Sequence, residues 1–91
     1  MRSADFTTSA RIRDAALARF AEDGYAATSV RTIAADAGVS PALILHHFGS
    51  KDGLREACDQ HVFAFFREMF SQEAQFSDES MVMVRYLMRQ A

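Results

Sequence analysis

The sequence has few of the residues that build cross-linked or extended structures. Its 91 residues include one cysteine, one proline, four glycines and no tryptophan. A single cysteine excludes a disulfide within the chain and is typical of a protein in a reducing compartment. The scarcity of proline and glycine, together with abundant Ala, Arg, Leu, Phe and Met, favours helix over sheet. We therefore expect an all-α protein.

Long apolar runs are also lacking. No segment approaches the roughly 18 consecutive apolar residues that cross a bilayer. The first residues, MRSADFTTSARIR, have no apolar centre of the kind found in a secretory signal. We therefore expect a cytoplasmic protein without a membrane partner.

The charge is nearly balanced, which excludes a generally basic surface. The formal net charge is −2. Residues 1–55 carry seven Arg or Lys against six Asp or Glu, and residues 56–91 carry three against six. Any binding to nucleic acid must therefore rest on a few well-placed groups rather than on bulk charge.

Helical periodicity interrupted by glycines is the main positive feature. The first predicted helix begins at an N-cap of Thr8 or Ser9 and ends at Gly24, and residues 1–7 are expected to lie outside it. Its apolar positions have helical spacing: Ile12, Ala15, Ala16, Leu17, Phe20 and Ala21.

Two short helices follow. The first begins at Thr28 or Ser29 and ends at Gly38. The second begins at the cap Ser40, with Pro41 at its first position, and ends before Gly49. Two short helices joined by a glycine-bearing turn match the helix-turn-helix motif, whose second helix enters the DNA major groove.

Two further helices are predicted beyond this motif. Ser50 caps a long helix from Lys51 whose apolar stripe is Leu54, Ala57, Cys58, His61, Val62, Phe65, Phe66, Met69 and Phe70. A fifth helix begins at Ser77 or Asp78 and continues to the last residue. Because an amphipathic helix cannot bury its stripe alone, we expect these two helices to pack against a further partner surface.

The pattern over roughly residues 8–70 resembles the tetracycline-repressor (TetR) family of transcription regulators. The matching residues are Ile12, Ala15, Ala16, Leu17, Phe20, Gly24, Tyr25, Thr28, Ser29, Val30, Ile33, Ala34, Ala37, Gly38, Val39, Ser40, His47, Phe48, Ser50, Lys51 and Leu54. The resemblance implies a homeodomain-like three-helix bundle with a helix-turn-helix at 1–50. It also implies that 51–91 form a linking helix and the start of a truncated helical domain for dimerisation and ligand binding.

The same resemblance implies the function and the partners. We expect a sequence-specific DNA-binding regulator, most often a repressor, that binds a palindromic operator as a homodimer and responds to a small molecule. No cofactor, metal site or catalytic residue is expected. The alternative is a helical protein-interaction module without DNA binding.

The DNA-binding residues are assigned in two groups. Base-facing positions are Arg31, Ser40, Pro41, Ala42, Leu43 and His46. Phosphate-facing positions are Thr28, Leu45, His47 and Lys51, of which Thr28 and Lys51 stand at helix N-termini. The family commonly has a tyrosine at position 45 that contacts the DNA backbone, and a leucine lacks that hydroxyl. Because residues 40–48 contain no Arg, Asn or Gln, DNA shape is expected to contribute more than direct readout.

Two other groups of residues have simpler interpretations. Cys58 and His61 lie three apart on one face, but two ligands are too few for a structural zinc site, so both are assigned to the core. A small enzyme built on this pair is the least favoured hypothesis. Phe65, Phe66 and Met69 are first a core stripe and, secondarily, a candidate lining for a ligand pocket.

Overall fold

The computed structural model describes residues 3–71 and 78–90. These ranges contain five α-helices and no β-strand, so the expected all-α class is confirmed. The helices are α1 (Ser3–Asp23), α2 (Val30–Ala37), α3 (Pro41–Phe48), α4 (Lys51–Ser71) and α5 (Asp78–Gln90). No helix within the described ranges is long and apolar enough to cross a membrane.

The predicted start of α1 is wrong. The helix already includes Ser3, so Thr8 and Ser9 lie inside it rather than at its N-cap. The five residues before Thr8 that the structure describes contain no proline or glycine to end a helix. The Ser9 hydroxyl is hydrogen-bonded to Nδ1 of His47 at 3.0 Å, a contact that joins α1 to α3.

The serines at the starts of α2, α3 and α4 cap these helices. Ser29, Ser40 and Ser50 each accept a hydrogen bond from the backbone N–H three residues later, at 2.9–3.1 Å. Ser29 rather than Thr28 is therefore the cap of α2. The fifth helix is confirmed from Asp78, while the alternative start at Ser77 lies outside the described residues.

A single apolar core joins all five helices. The long helix α1 lies at its centre and contacts α2, α3, α4 and α5. The buried apolar side chains are Ile12, Ala16, Leu17, Phe20, Ala21, Ile33, Ala34, Ala37, Ile44, Leu54, Cys58, Val62, Met83 and Tyr86. The α1 periodicity predicted from the sequence therefore corresponds to its buried face.

The C-terminal helix α5 contributes directly to this core. Met83 and Tyr86 are fully buried, and the Tyr86 hydroxyl donates a hydrogen bond to the Asp59 carboxylate on α4. Arg89 donates to the carbonyl oxygen of Glu22 at 2.7 Å, which satisfies an acceptor in the last turn of α1. Part of the partner surface expected for the C-terminal helices is therefore α1 itself. The division into two domains at residue 50 stays a prediction.

Candidate nucleic-acid interface

The turn between α2 and α3 is closed by a left-handed glycine. Gly38 has φ 72° and ψ 34°, and its N–H bonds the carbonyl oxygen of Ala35 at 3.3 Å. The N–H of Val39 bonds the carbonyl oxygen of Ala34 at 3.0 Å. These two bonds form a Schellman-type ending, which turns the chain sharply into the next helix.

Helix α3 is supported from behind by three apolar side chains. Ile44 is fully buried, and Val39 and Phe48 are half-buried against the same core. The opposite side of α3 is consequently held at the surface in one orientation.

The outward face of α3 is formed by Pro41, Ala42, Leu45 and His46. All four are exposed, and Leu45 keeps 45% of its surface accessible to solvent. Residues four apart in a helix lie on the same side, so Leu45 follows Pro41 and His46 follows Ala42 on one continuous face. Leu45 therefore shares a face with three of the predicted base-facing residues.

The other predicted base-facing residues lie around this face. Leu43 is half-buried and lies on the flank of α3 rather than at the centre of its exposed side. Ser40 is exposed, and its oxygen caps α3 by accepting from the N–H of Leu43. Arg31 is exposed at the second position of α2.

Thr28, one of the predicted phosphate-facing residues, is buried in the turn between α1 and α2. Its side chain is only 3% exposed, and its hydroxyl donates to the carbonyl oxygen of Gly24 at 2.8 Å. Its own N–H bonds the carbonyl oxygen of Tyr25 at 3.2 Å. Thr28 therefore organises the turn between α1 and α2, and the neighbouring Ser29 is the exposed hydroxyl at the start of α2.

Lys51, at the N-terminus of α4, contacts the turn between α1 and α2. Its ammonium donates to the carbonyl oxygen of Tyr25 at 2.7 Å and lies 4.1 Å from the centre of the Tyr25 ring. The Tyr25 hydroxyl donates to the Asp52 carboxylate. Burial, and then the bond to Asp52, raise the pKa of Tyr25.

His47 is half-buried between α3 and α1. Its Nδ1 is bonded to the Ser9 hydroxyl, and its ring meets that of His46 edge to face, with centroids 5.6 Å apart. Packing is therefore one role of His47. The Nε2 atom belongs to the other edge of the ring and has its own capacity for a hydrogen bond.

Sequence reasoning gave no role to Ser9 in the interface, to the contacts of Tyr25 or to Gly53. A glycine inside a predicted helix costs about 1 kcal/mol relative to alanine, so the presence of Gly53 in α4 was a usable signal of a steric requirement. A Cβ atom at this position would overlap the carbonyl oxygen of Phe48. Ser9 and Tyr25 contact residues 38 and 26 positions away, and no local pattern indicates such pairs.

Cys58 and His61 both pack in the protein interior as expected, but Cys58 is more deeply buried than His61. Cys58 is fully buried, its thiol lies 3.7 Å from the carbonyl oxygen of Arg13, and burial raises its pKa to about 12. His61 is half-buried beside Glu79, at 3.9 Å, and burial lowers its pKa. No group of three or more potential metal ligands occurs within the described ranges.

An open apolar groove lies between α4 and α5. Its volume is about 650 Å³, and its lining is Asp59, Val62, Phe63, Phe66, Val84, Leu87 and Met88. Of the three side chains assigned to a ligand pocket, Phe66 lines this groove. Phe65 and Met69 are absent from the lining, and Phe65 packs partly against the core.

A short capped helix with an exposed outer face, joined by a glycine turn to a supporting helix, defines a helix-turn-helix DNA-binding domain. The family described as bacterial regulatory proteins, tetR family, matches residues 12–58. The chain belongs to this family, as its resemblance indicated.

Individual relatives agree with the family match. The chain is 58% identical over 62 residues to the HTH-type transcriptional regulatory protein RaaS of Mycobacterium tuberculosis, covering 68% of this chain and 29% of that protein. It is 48% identical over 61 residues to the HTH-type transcriptional dual regulator CecR of Shigella flexneri, covering 67% and 27%. It is 43% identical over 65 residues to an HTH-type transcriptional repressor of Mycobacterium tuberculosis, covering 71% and 35%.

These matches concern one region of the relatives. The aligned segments span between 27% and 35% of the lengths of these three proteins. The similarity therefore supports statements about the helix-turn-helix region.

Proposed function

We propose that this chain is the DNA-binding part of a transcription regulator, and specifically of a repressor. The observation that carries the proposal is the outward face of α3, which is exposed while Ile44 behind it is fully buried. A rigidly supported helix with an open face of small and medium side chains fits the major groove, which is about 12 Å wide.

Phosphate contacts would come from the ends of neighbouring helices. The first N–H groups of α2 and α4 have no partner within their own helix and carry partial positive charge. Ser29 stands at the first of these ends, and Lys51 at the second. Such contacts would fix the position of α3 without specifying a base sequence.

Base recognition would be largely apolar. His46 is a hydrogen-bonding group on the outward face of α3, while Ala42 on that face suits the methyl group of thymine. We expect modest discrimination by direct contacts and a larger contribution from the shape and deformability of the DNA.

The assembly follows from the same proposal. A homodimer would bind the two halves of a palindromic operator about one helical turn of DNA apart. A small molecule bound in the helical region, where Phe66 lines the groove between α4 and α5, would change the spacing of the two α3 helices. The regulator would act on the chromosome, in the cytoplasm, with no cofactor and no catalytic role.

The proposal is tested by selecting duplexes from a random-sequence pool with the chain, then measuring the affinity of the recovered sequence against salt concentration. We expect enrichment of one sequence pattern and an affinity that falls steeply with salt. If no duplex is bound even at low salt in a dimeric preparation, the protein-interaction module without DNA binding is favoured instead.

A matched pair of substitutions locates the binding face. Ala42 lies on the outward face of α3, and Ala64 is also exposed, on α4. Ala42→Glu should weaken DNA binding at least about tenfold, because it brings a carboxylate against the phosphates. Ala64→Glu introduces the same charge and should leave the affinity unchanged. Equal losses in both variants would show that α3 is not the binding helix.

A further inference from the structure

The Lys51 side chain is held in place before any partner binds. One N–H of its ammonium is used by the carbonyl oxygen of Tyr25 at 2.7 Å, and the Tyr25 ring lies 4.1 Å from the nitrogen. An ammonium has three N–H donors, so two remain for a phosphate oxygen. The contact with Tyr25 therefore restricts the lysine without using up its capacity to bind.

Tyr25 is in turn fixed by contacts on several sides. Its ring packs on Phe20 with centroids 5.2 Å apart, and the guanidinium of Arg55 lies 4.6 Å from its centre. Its hydroxyl donates to the carboxylate of Asp52. Tyr25 thus contacts two neighbouring residues of opposite charge: Lys51 through its carbonyl oxygen and ring, and Asp52 through its hydroxyl.

This arrangement has a consequence for phosphate binding. A free lysine loses rotamer entropy when it binds a phosphate, whereas a lysine already held near its bound position loses less. This smaller loss of entropy favours anion binding by Lys51 at the N-terminus of α4.

We propose that Tyr25 is a positioning residue for DNA binding, which holds the Lys51 ammonium for a phosphate contact through its ring and its main-chain carbonyl. This inference rests on the proposed function. Tyr25 itself makes no contact with DNA in this proposal, and its effect on affinity passes through Lys51.

A double-mutant cycle on the chain tests the coupling. The variants are Tyr25→Met, Lys51→Ala and the double variant, and the probe is a mixed-sequence duplex at low salt, since phosphate contacts are independent of sequence. Tyr25→Met should weaken binding about two- to fivefold when Lys51 is present, because it removes the cation–π contact. The same change should have no effect on affinity when Lys51 is already alanine.

Two further variants separate positioning from folding. Tyr25→Phe keeps the ring and the carbonyl, so it should retain most of the affinity lost in Tyr25→Met. Tyr25→Leu also removes the ring but packs differently from methionine, so it repeats the measurement with and without Lys51. Thermal unfolding of each variant in the absence of DNA shows whether the fold is retained. An equal loss with and without Lys51 would assign Tyr25 a purely structural role and overturn the proposal, as would tighter binding by Tyr25→Met. If the wild-type chain does not bind the duplex, the proposed function itself fails.

Discussion

The backbone of Gly53, in the first turn of α4, lies directly against the carbonyl oxygen of Phe48, the last residue of α3. A Cβ atom added at Gly53 would overlap that oxygen and lie 3.2 Å from the carbonyl carbon of Phe48. The close approach fixes how α4 leaves the helix-turn-helix. It therefore sets the position of Lys51 relative to the outward face of α3.

Gly53→Ala should destabilise the protein by about 2 kcal/mol or more, because backbone atoms must move to remove the overlap. Helix propensity alone predicts the opposite sign, since alanine is favoured over glycine in a helix by about 1 kcal/mol. Urea unfolding followed by circular dichroism measures the difference. A stabilised Gly53→Ala variant would show that α3 and α4 do not approach so closely.

Gly38→Ala should also destabilise the protein, but through backbone conformation rather than through steric overlap. Nothing lies within 4 Å of a Cβ at Gly38, so the cost there comes only from its φ of 72°. We expect a loss of about 1 kcal/mol for alanine and a larger loss for the β-branched Gly38→Val. Unfolding curves without any loss in either variant would contradict the left-handed turn.

Lys51→Ala should weaken binding to all DNA sequences alike and reduce the slope of log affinity against log salt by about one. The control is Arg67→Ala, which removes an exposed cation on the same helix. Arg67 lies 16 residues along α4, about 24 Å from Lys51 at the helical rise. An unchanged slope in Lys51→Ala would remove this lysine from the set of phosphate contacts.

Leu45→Tyr should strengthen DNA binding about fivefold, because a phenol on the exposed face of α3 can donate a hydrogen bond to a phosphate oxygen. Leu45→Phe supplies a ring of similar size without the hydroxyl and should give no such gain. The affinities of wild type, Leu45→Tyr and Leu45→Phe for one selected duplex are measured at a fixed salt concentration. A gain shared by both variants would attribute the effect to apolar contact instead.

The stability of the protein should decrease as the pH falls below about 6.5, the usual pKa of an unfolded histidine. Burial and the nearby Arg13 hold the pKa of His61 below that value in the folded state, so the unfolded chain binds the proton more readily. His61→Gln should reduce this dependence between pH 7 and pH 5. Urea midpoints at several pH values test it, and an identical dependence in the variant would assign the effect to other groups.

Cys58 should react slowly with a thiol reagent in the native state and quickly in urea. It is the only cysteine, so the labelling is specific to one site. Burial raises its pKa to about 12, which leaves very little reactive thiolate near neutral pH. Fast native labelling, measured by mass spectrometry, would contradict the buried position and reopen the hypothesis of a reactive thiol.

Much of the site was predictable because its signals are local. The caps Ser29 and Ser40, the turn at Gly38 and the buried Ile44 all follow from residue types within four positions of each other. The role of Thr28 was not predictable in this way. Thr28 and Ser29 are both ordinary N-cap residues, and only the packing of the turn decides that Thr28 is buried.

Local signals in the sequence are enough to predict the five helices of the described ranges, most of their ends and the presence of a helix-turn-helix, since capping and periodicity act over one or two turns. Tertiary structure decided that α5 packs on α1 through Met83 and Tyr86, and that Lys51 lies against Tyr25. It also decided that Gly53 must be free of a side chain. These relationships join residues far apart in the chain, and they depend on how whole helices pack rather than on any local preference of the backbone.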